Sequence, residues 1–315
     1  MRSIIRYLVL LLFILSGCMH NPAVKETEKN QPVSDTGYIE VSGTKLNWVA
    51  EGKGKPCLVI GSSIYYPRTF SVQLRDSLRF YFVDMRWFAK EYAPVKPENF
   101  TLDTILSDIE KVRSQLKLDK VIILGHSIHS VIAFEYARRH PEKVSRVVMI
   151  GSPAYQTNKE QEDAINMLWE TASPERQSLQ NENWKKLAGM KDLTPAQFDI
   201  ENYCLMAPKY SYDMHYDAKW LWKDMTLNTD ILHSLYESVF RDYFIFRNER
   251  NVPAPVLVVM GKFDYVDPYT LWKGFEDIRG LTVKVFDKSG HTPQLEESAL
   301  FDRELLGWLR ESSEL

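Results

Sequence analysis

The chain has 315 residues, 44% of them hydrophobic and 26% charged. That is the composition of an ordinary globular protein, with enough apolar material for one large core or a core plus a smaller subdomain. A formal net charge of −3 leaves no basic footprint, so nucleic acid is not an expected partner. At the N-terminus, Arg2 and Arg6 lead into an unbroken apolar run from Tyr7 to Leu15. This run is shorter than the roughly 20 residues a membrane span needs. It fits the apolar region of a secretory leader, expected over residues 1–17. Residues 18–36 are poor in apolar side chains and carry prolines and mixed charges. They are expected to form a tether, since they cannot bury enough to order themselves.

The globule is predicted to open with a hairpin, because Tyr38–Val41 and Lys45–Val49 alternate around Ser42-Gly43-Thr44. Leu58–Ile60, Phe80–Val83, Val121–Leu124 and Val147–Ile150 are short apolar strands. Between them, Leu102, Ile105, Leu106, Ile109, Val112 and Leu116 recur at helical spacing, as do Ile128, Val131, Ile132 and Tyr136. Val256–Met260 and Val283–Phe286 complete the strands. Phe301, Leu305, Trp308 and Leu309 mark a last helix. The alternation predicts an α/β fold: a mostly parallel sheet covered by helices on both faces, with the hairpin as an antiparallel edge.

Residues 154–252 break this rhythm. No strand pattern is visible there, and the stretch is helical in character and rich in aromatics, from Trp169, Trp184, Tyr203 and Tyr210 to Tyr212, Tyr216, Trp220, Trp222 and Tyr236. The expectation is a helical lid inserted into a core formed by residues 37–153 and 253–315. Most of its aromatics should pack against each other, and a few should line a substrate pocket.

The strongest chemical signal is Gly125-His126-Ser127-Ile128-His129, between a strand and a helix. A Ser at such a turn is lifted clear of the sheet. The helix N-terminus beside it favours developing negative charge. Further on, Val258-Val259-Met260-Gly261-Lys262-Phe263-Asp264 ends a strand on an acid, and Ser289-Gly290-His291-Thr292-Pro293 follows the next strand. Earlier, Val83-Asp84-Met85-Arg86 closes a strand. Together these segments resemble the α/β-hydrolase family in its lid-bearing branch, over about residues 37–312. They match its nucleophile elbow, its strand-Gly-x-x-Asp segment, its Gly-His segment and its Asp-x-Arg segment.

The resemblance implies Ser127 as nucleophile, His291 as base and Asp264 as the acid that orients it, in the family's chain order. It implies cleavage of an ester or amide bond of a small substrate through an acyl-enzyme, with no cofactor. Asp267 is the rival acid. The Gly-x-x-Asp spacing favours Asp264, and Asp267 before Pro268 fits a helix N-cap. Ser at position 127 argues against the epoxide and haloalkane chemistry of relatives with an Asp nucleophile. By alignment with the strand Cys57–Ile60, the backbone amides of Ser63 and Ile128 are the expected oxyanion donors. The family usually has His-Gly-x after that strand, where this chain has Gly61-Ser62-Ser63. It usually has Gly where this chain has His129. His129 is expected to pack beside the elbow, and His126 to support it.

The layout is also similar to proline iminopeptidases, which carry His-Gly-Gly-Pro-Gly at the oxyanion loop. Gly61-Ser62-Ser63-Ile64 does not match. That favours an esterase over an aminopeptidase and keeps a silent ligand-binding protein as the alternative. Glu201, Asp213 and Asp217 are acids available to a substrate amine, with no motif choosing among them. The seven His form neither a His-Glu-x-x-His motif nor a tight cluster with acids, so no metal is expected.

Leu15-Ser16-Gly17-Cys18 resembles a bacterial lipoprotein signal. That implies cleavage before Cys18, acylation of its sulfur and a stable membrane anchor in the bacterial envelope. Met19, in place of Asp, favours the outer membrane. Cys57 and Cys204 are expected to be small buried hydrophobes.

Overall fold

The computed structural model describes residues 35–93 and 100–311. The expected leader, Cys18 and nearly all of the tether lie outside the described residues. Among the described residues, no helix is long and apolar enough to cross a membrane.

The hairpin forms as expected from β1 (Asp35–Val41) and β2 (Thr44–Gly52). Ser42 and Gly43 both take positive φ, 48° and 77°, the two-residue turn whose twist suits a hairpin. Then come β3 (Lys55–Gly61), β4 (Leu78–Asp84), α1 (Leu102–Gln115), β5 (Val121–His126), α2 (Ile128–Arg139) and β6 (Val144–Ile150). After an insertion, β9 (Val256–Gly261), β10 (Leu281–Phe286), α9 (Pro293–Glu296) and α10 (Ser298–Glu311) complete the core. The sheet has eight strands in the order β1-β2-β4-β3-β5-β6-β9-β10. Every pairing from β4 to β10 is parallel, and β2 joins β1 and β4 antiparallel.

The continuous apolar strands are explained by burial on both faces. Along β3, Leu58 and Ile60 face the cluster built with Ile105 and Ile109 of α1 and Ile132 of α2. Cys57 and Val59, the alternate residues, face Phe80, Phe82 and α10's Phe301 and Leu305. Cys57 is therefore a small core residue, as expected, and its thiol is fully buried.

The insertion holds β7 (Tyr155–Gln156), then α3 (Lys159–Glu170), α4 (Pro174–Gly189), α5 (Pro195–Leu205), α6 (Ala207–Tyr210), α7 (Lys219–Trp222) and α8 (Thr229–Ser234), and finally β8 (Tyr243–Phe244). The paired β7 and β8 depart from the all-helical expectation. Two-residue strands are too short to leave an alternating pattern. Their pairing ties the start of the insertion to its end, with Tyr155 stacked on Phe244 at 4.4 Å between ring centres. Arg68, in the loop after β3, fastens the insertion to the core. It donates to the carbonyls of Trp220, Leu221 and Lys223 at 3.1, 2.8 and 2.9 Å, satisfying groups the last turn of α7 leaves open.

Candidate active site

Ser127 stands between β5 and α2 with φ 55° and ψ −134°, a conformation that persists only when its surroundings enforce it. Those surroundings are specific. The Ser127 amide donates to Ile150 O at 2.8 Å. Ser130 Oγ donates to Gly125 O at 2.8 Å and accepts the Ile150 amide at 3.0 Å. Gly125 has no alternative, since a Cβ there would lie 2.1 Å from His129 O. From Val121 to Ala137, Ser127 alone is not buried.

Asp264 and His291 leave the ends of β9 and β10 and meet. His291 Nδ1 donates to Asp264 Oδ2 at 2.7 Å. The other carboxylate oxygen of Asp264 accepts the amides of Val266 and Asp267 at 3.1 and 2.8 Å. His291 is also held at both backbone groups. Its amide donates to Tyr210 O at 2.6 Å, and its carbonyl accepts His126 Nε2–H at 2.8 Å. Burial pulls the His291 pKa down. The charge and hydrogen bond of Asp264, with Asp267 and Glu296 beyond, outweigh it and raise the net value. With Nδ1 committed to Asp264, the free ring nitrogen Nε2 is the basic one.

Asp267 does not cap a helix, contrary to the expectation from Pro268. The next helical turn starts at Tyr269 with Pro268 as its cap. The Asp267 side chain turns inward instead: Oδ1 accepts Gln161 Nε2–H from α3 at 2.8 Å, and Oδ2 lies 3.8 Å from His291 Nδ1. Burial and the neighbouring Asp264 charge push its carboxyl up to about 7, against the pull of His291. Ligand atoms of Asp264, Asp267 and His291 lie within 4.8 Å of one another, but the imidazole nitrogen facing the acids is already spent on Asp264.

Ser127, Ile128 and His291 line one cavity of about 310 Å³, the low end of ligand-pocket sizes. The loop after β3 adds Tyr65 and Tyr66. The insertion adds Asn202, Tyr203, Tyr210, Trp222 and Tyr236. So Tyr203, Tyr210, Trp222 and Tyr236 are the lid aromatics that face the cavity; Trp169 instead packs edge-on against Tyr265. Tyr65 Oη and Tyr203 Oη lie 3.0 Å apart, joining core and insertion at the wall. None of the three acids singled out in the sequence lines the cavity. Glu201 pairs with Lys219 at 2.8 Å. Asp213 and Asp217 accept the amides of His215 and Lys219 at 2.9 and 3.0 Å. The acid on the wall is Asp199, 3.1 Å from His233 Nε2.

The Ser63 assignment needs correction. Its amide donates to Asp84 Oδ1 at 2.6 Å, buried, and Asp84 also accepts Asn47 Nδ2–H at 3.1 Å. A donor so engaged is not offered to a substrate oxygen. Ile128 differs: it is the first residue of α2, where an amide has no acceptor within its helix, and it lines the cavity.

His129 is held on both ring nitrogens. Trp87 Nε1 can only donate, so His129 Nε2 accepts from it at 3.2 Å. The proton of His129 is therefore on Nδ1, 3.1 Å from His126 O and 3.0 Å from Tyr66 Oη. Its ring stacks on Trp87 at 5.4 Å, beside the elbow as expected. Burial holds its pKa down at about 4, against the opposing His126 carbonyl. Likewise His126 donates from Nε2 to the His291 carbonyl, which leaves its Nδ1 an acceptor. Burial first, then the His291 charge, keep His126 neutral.

The family profile described as alpha/beta hydrolase fold matches residues 59–298. The AB hydrolase superfamily protein YclE of Bacillus subtilis (strain 168) is 34% identical over 275 residues, covering 87% of this chain and 98% of that protein. A proline iminopeptidase of Heyndrickxia coagulans is 24% identical over 283 residues, covering 83% of this chain and 93% of that one. Among solved structures, an esterase (EaEST) from Exiguobacterium antarcticum superposes with a TM-score of 0.58 at 22% identity, covering 87% of this chain and 98% of its own. With a profile that spans most of the globule and a relative matched nearly end to end, the chain belongs to the α/β-hydrolase family and is a hydrolase.

Proposed function

We propose that the protein cleaves an ester or amide bond of a small substrate through an acyl-enzyme, with Ser127 as nucleophile, His291 as general base and acid, and Asp264 as the orienting carboxylate. The observation that carries this is the 2.7 Å bond between His291 Nδ1 and Asp264 Oδ2, on a histidine that shares its cavity with the strained Ser127. Ser127 is a weak nucleophile alone. His291 Nε2 takes its hydroxyl proton as Oγ attacks the carbonyl carbon, then returns that proton to the leaving group. Asp264 fixes the tautomer that leaves Nε2 free and stabilises the imidazolium that forms. Water repeats the sequence to release the acid.

The aromatic wall and the mismatch of Gly61-Ser62-Ser63-Ile64 with the iminopeptidase loop favour an ester substrate. Asp199 on the cavity wall supports a second reading, an aminopeptidase that holds its substrate's amine at that carboxylate. The test is turnover of p-nitrophenyl esters of short and long acyl chains, against p-nitroanilides of proline and other amino acids, by the full chain and by Ser127→Ala. Ester turnover that vanishes in the variant supports the esterase. Preferred anilide turnover moves the assignment to the aminopeptidase. No turnover on any of these substrates leaves a hydrolase of narrower specificity or the silent ligand-binding alternative, which labelling of Ser127 by a fluorophosphonate separates.

The same proposal includes an anchor. The run Tyr7–Leu15 followed by Ser16-Gly17-Cys18 supports acylation at Cys18 and a place in the bacterial envelope. Mass spectrometry of the membrane fraction, with Cys18→Ser beside the parent, tests it: a parent without acyl mass at Cys18 contradicts the anchor.

A further inference from the structure

From Ser63 to Tyr66, every backbone amide of the loop after β3 already has an acceptor. Ser63 N–H goes to Asp84 Oδ1 at 2.6 Å. The amides of Ile64 and Tyr65 both go to Ser62 Oγ at 3.1 Å. The Tyr66 amide goes to Ser62 O at 3.4 Å, and Pro67 has no amide hydrogen. A triad that works by acyl transfer needs donors aimed at the developing O⁻, and Ile128 supplies one.

The Tyr66 side chain stands where another could be. Its ring lies over Gly61, so closely that a Cβ at 61 would sit 2.1 Å from Tyr66 Cε2, and Gly61 has φ 142°. The absence of a side chain at 61 therefore makes room for the ring. Tyr66 Oη reaches the elbow. His129 Nδ1–H lies 3.0 Å from it as a donor, since His129 Nε2 is occupied by Trp87. Among the described residues, the phenol's own proton has one protein acceptor within reach, His126 Nδ1, at a long 3.4 Å. The residue lines the same cavity as Ser127, Ile128 and His291. Gly61 and His129, two positions that depart from the family pattern, thus serve one group: the first admits the Tyr66 ring, the second donates to its hydroxyl.

Resting on the Ser127 reading above, we propose that the Tyr66 hydroxyl is the second oxyanion donor, opposite the Ile128 amide, in place of the loop amide. As Ser127 Oγ bonds to the carbonyl carbon, the carbonyl π pair moves onto oxygen and the serine proton moves to His291 Nε2. Tyr66 Oη–H and Ile128 N–H donate hydrogen bonds to that oxygen. When the pair returns and the leaving group departs with the proton from His291, both donors still hold their hydrogens. Burial raises the Tyr66 phenol well above its ordinary pKa, so it remains protonated throughout. His129 is a positioning residue, because a hydroxyl that accepts a hydrogen bond is a stronger donor.

The experiment compares the full chain with Tyr66→Phe on a p-nitrophenyl ester, with a trifluoromethyl ketone as the inhibitor that forms an oxyanion on Ser127. Loss of one such donor costs about 10²- to 10³-fold in kcat. The expected result is that loss in Tyr66→Phe with KM nearly unchanged, and a ketone Ki raised by the factor by which kcat/KM falls. A kcat within threefold of the parent, or a loss of kcat with the ketone Ki unchanged, overturns the proposal. Ser127→Ala separates the two readings: turnover surviving there removes the nucleophile itself, whereas a dead Ser127→Ala beside a fully active Tyr66→Phe removes only the role of Tyr66. If phenylalanine at 66 does not give a folded chain by circular dichroism, 3,5-difluorotyrosine at 66 replaces it. That more acidic phenol should add an alkaline loss of kcat that the parent lacks, and an unaltered alkaline profile overturns the proposal.

Discussion

The backbone carbonyl of Tyr210 accepts the amide of His291 at 2.6 Å. Through this bond the insertion, which is remote in sequence from the last strand, helps set the position of the proposed catalytic imidazole. His126 Nε2 holds the next backbone group, the His291 carbonyl, from the elbow side at 2.8 Å. The histidine is thus fixed by the insertion, the elbow and the acid together. A shift of about 1 Å in such a group costs about 10²-fold in rate.

The pH profile should reflect the environment of His291. Only the neutral imidazole can take the Ser127 proton, and its pKa is raised above the ordinary histidine value. Activity should therefore rise with pH through a midpoint above about 6.5. Asp267→Asn removes one charge that raises it, so the acidic limb of kcat/KM should move to lower pH while most turnover is kept. Asp264→Asn should instead cost about 10⁴-fold in kcat, because it releases the wrong tautomer. Stopped-flow or steady-state profiles of the three proteins check both statements. Equal losses in the two variants would contradict the assignment of Asp264 over Asp267.

Restoring the family's glycine at position 129 should not help. His129→Gly strips the acceptor from Trp87 Nε1–H, a buried donor whose loss costs about 1–3 kcal/mol. It also puts glycine into α2 at about 1 kcal/mol. Urea unfolding should show a loss of roughly 2–4 kcal/mol, with no gain in kcat.

Asp84→Ala should destabilise without a direct effect on the nucleophile. The buried Ser63 amide and the Asn47 amide lose their shared acceptor, at about 1–3 kcal/mol for an orphaned buried group. Thermal unfolding of the variant measures it.

Arg68→Ala should loosen the insertion locally. Three carbonyls at the end of α7 lose their donor. Hydrogen exchange over residues 216–227, which include the cavity residue Trp222, should speed up by roughly tenfold, while the strands of the sheet keep their protection.

The strands were legible because both faces are buried, which makes them continuous apolar runs bounded by polar turns. Segments that carry their own spacing were legible too: Asp264 and His291, 27 residues apart, meet in space. What depends on contact between segments was not. The Ser63 amide is spent on a residue 21 positions away, brought beside it by the register that sets Gly61 against Asp84. No local pattern reports that pairing. Which acid stands on the cavity wall was not legible, for a related reason. Asp199 and Glu201 are two residues apart on α5, so about 200° apart around it, and only the packed insertion decides which side meets the cavity. The departure at Gly61 was visible, but its partner, Tyr66, was not, since a glycine does not reveal what fills the space above it.

The most direct test of the account is covalent. The full chain is treated with a fluorophosphonate, and the modified residue is located by peptide mass spectrometry, with His291→Ala beside the parent. The account predicts a single adduct on Ser127 that forms rapidly in the parent and far more slowly in His291→Ala. An unlabelled Ser127 in the parent, or labelling equally fast without His291, would contradict the claim that these two residues form the working centre of this hydrolase.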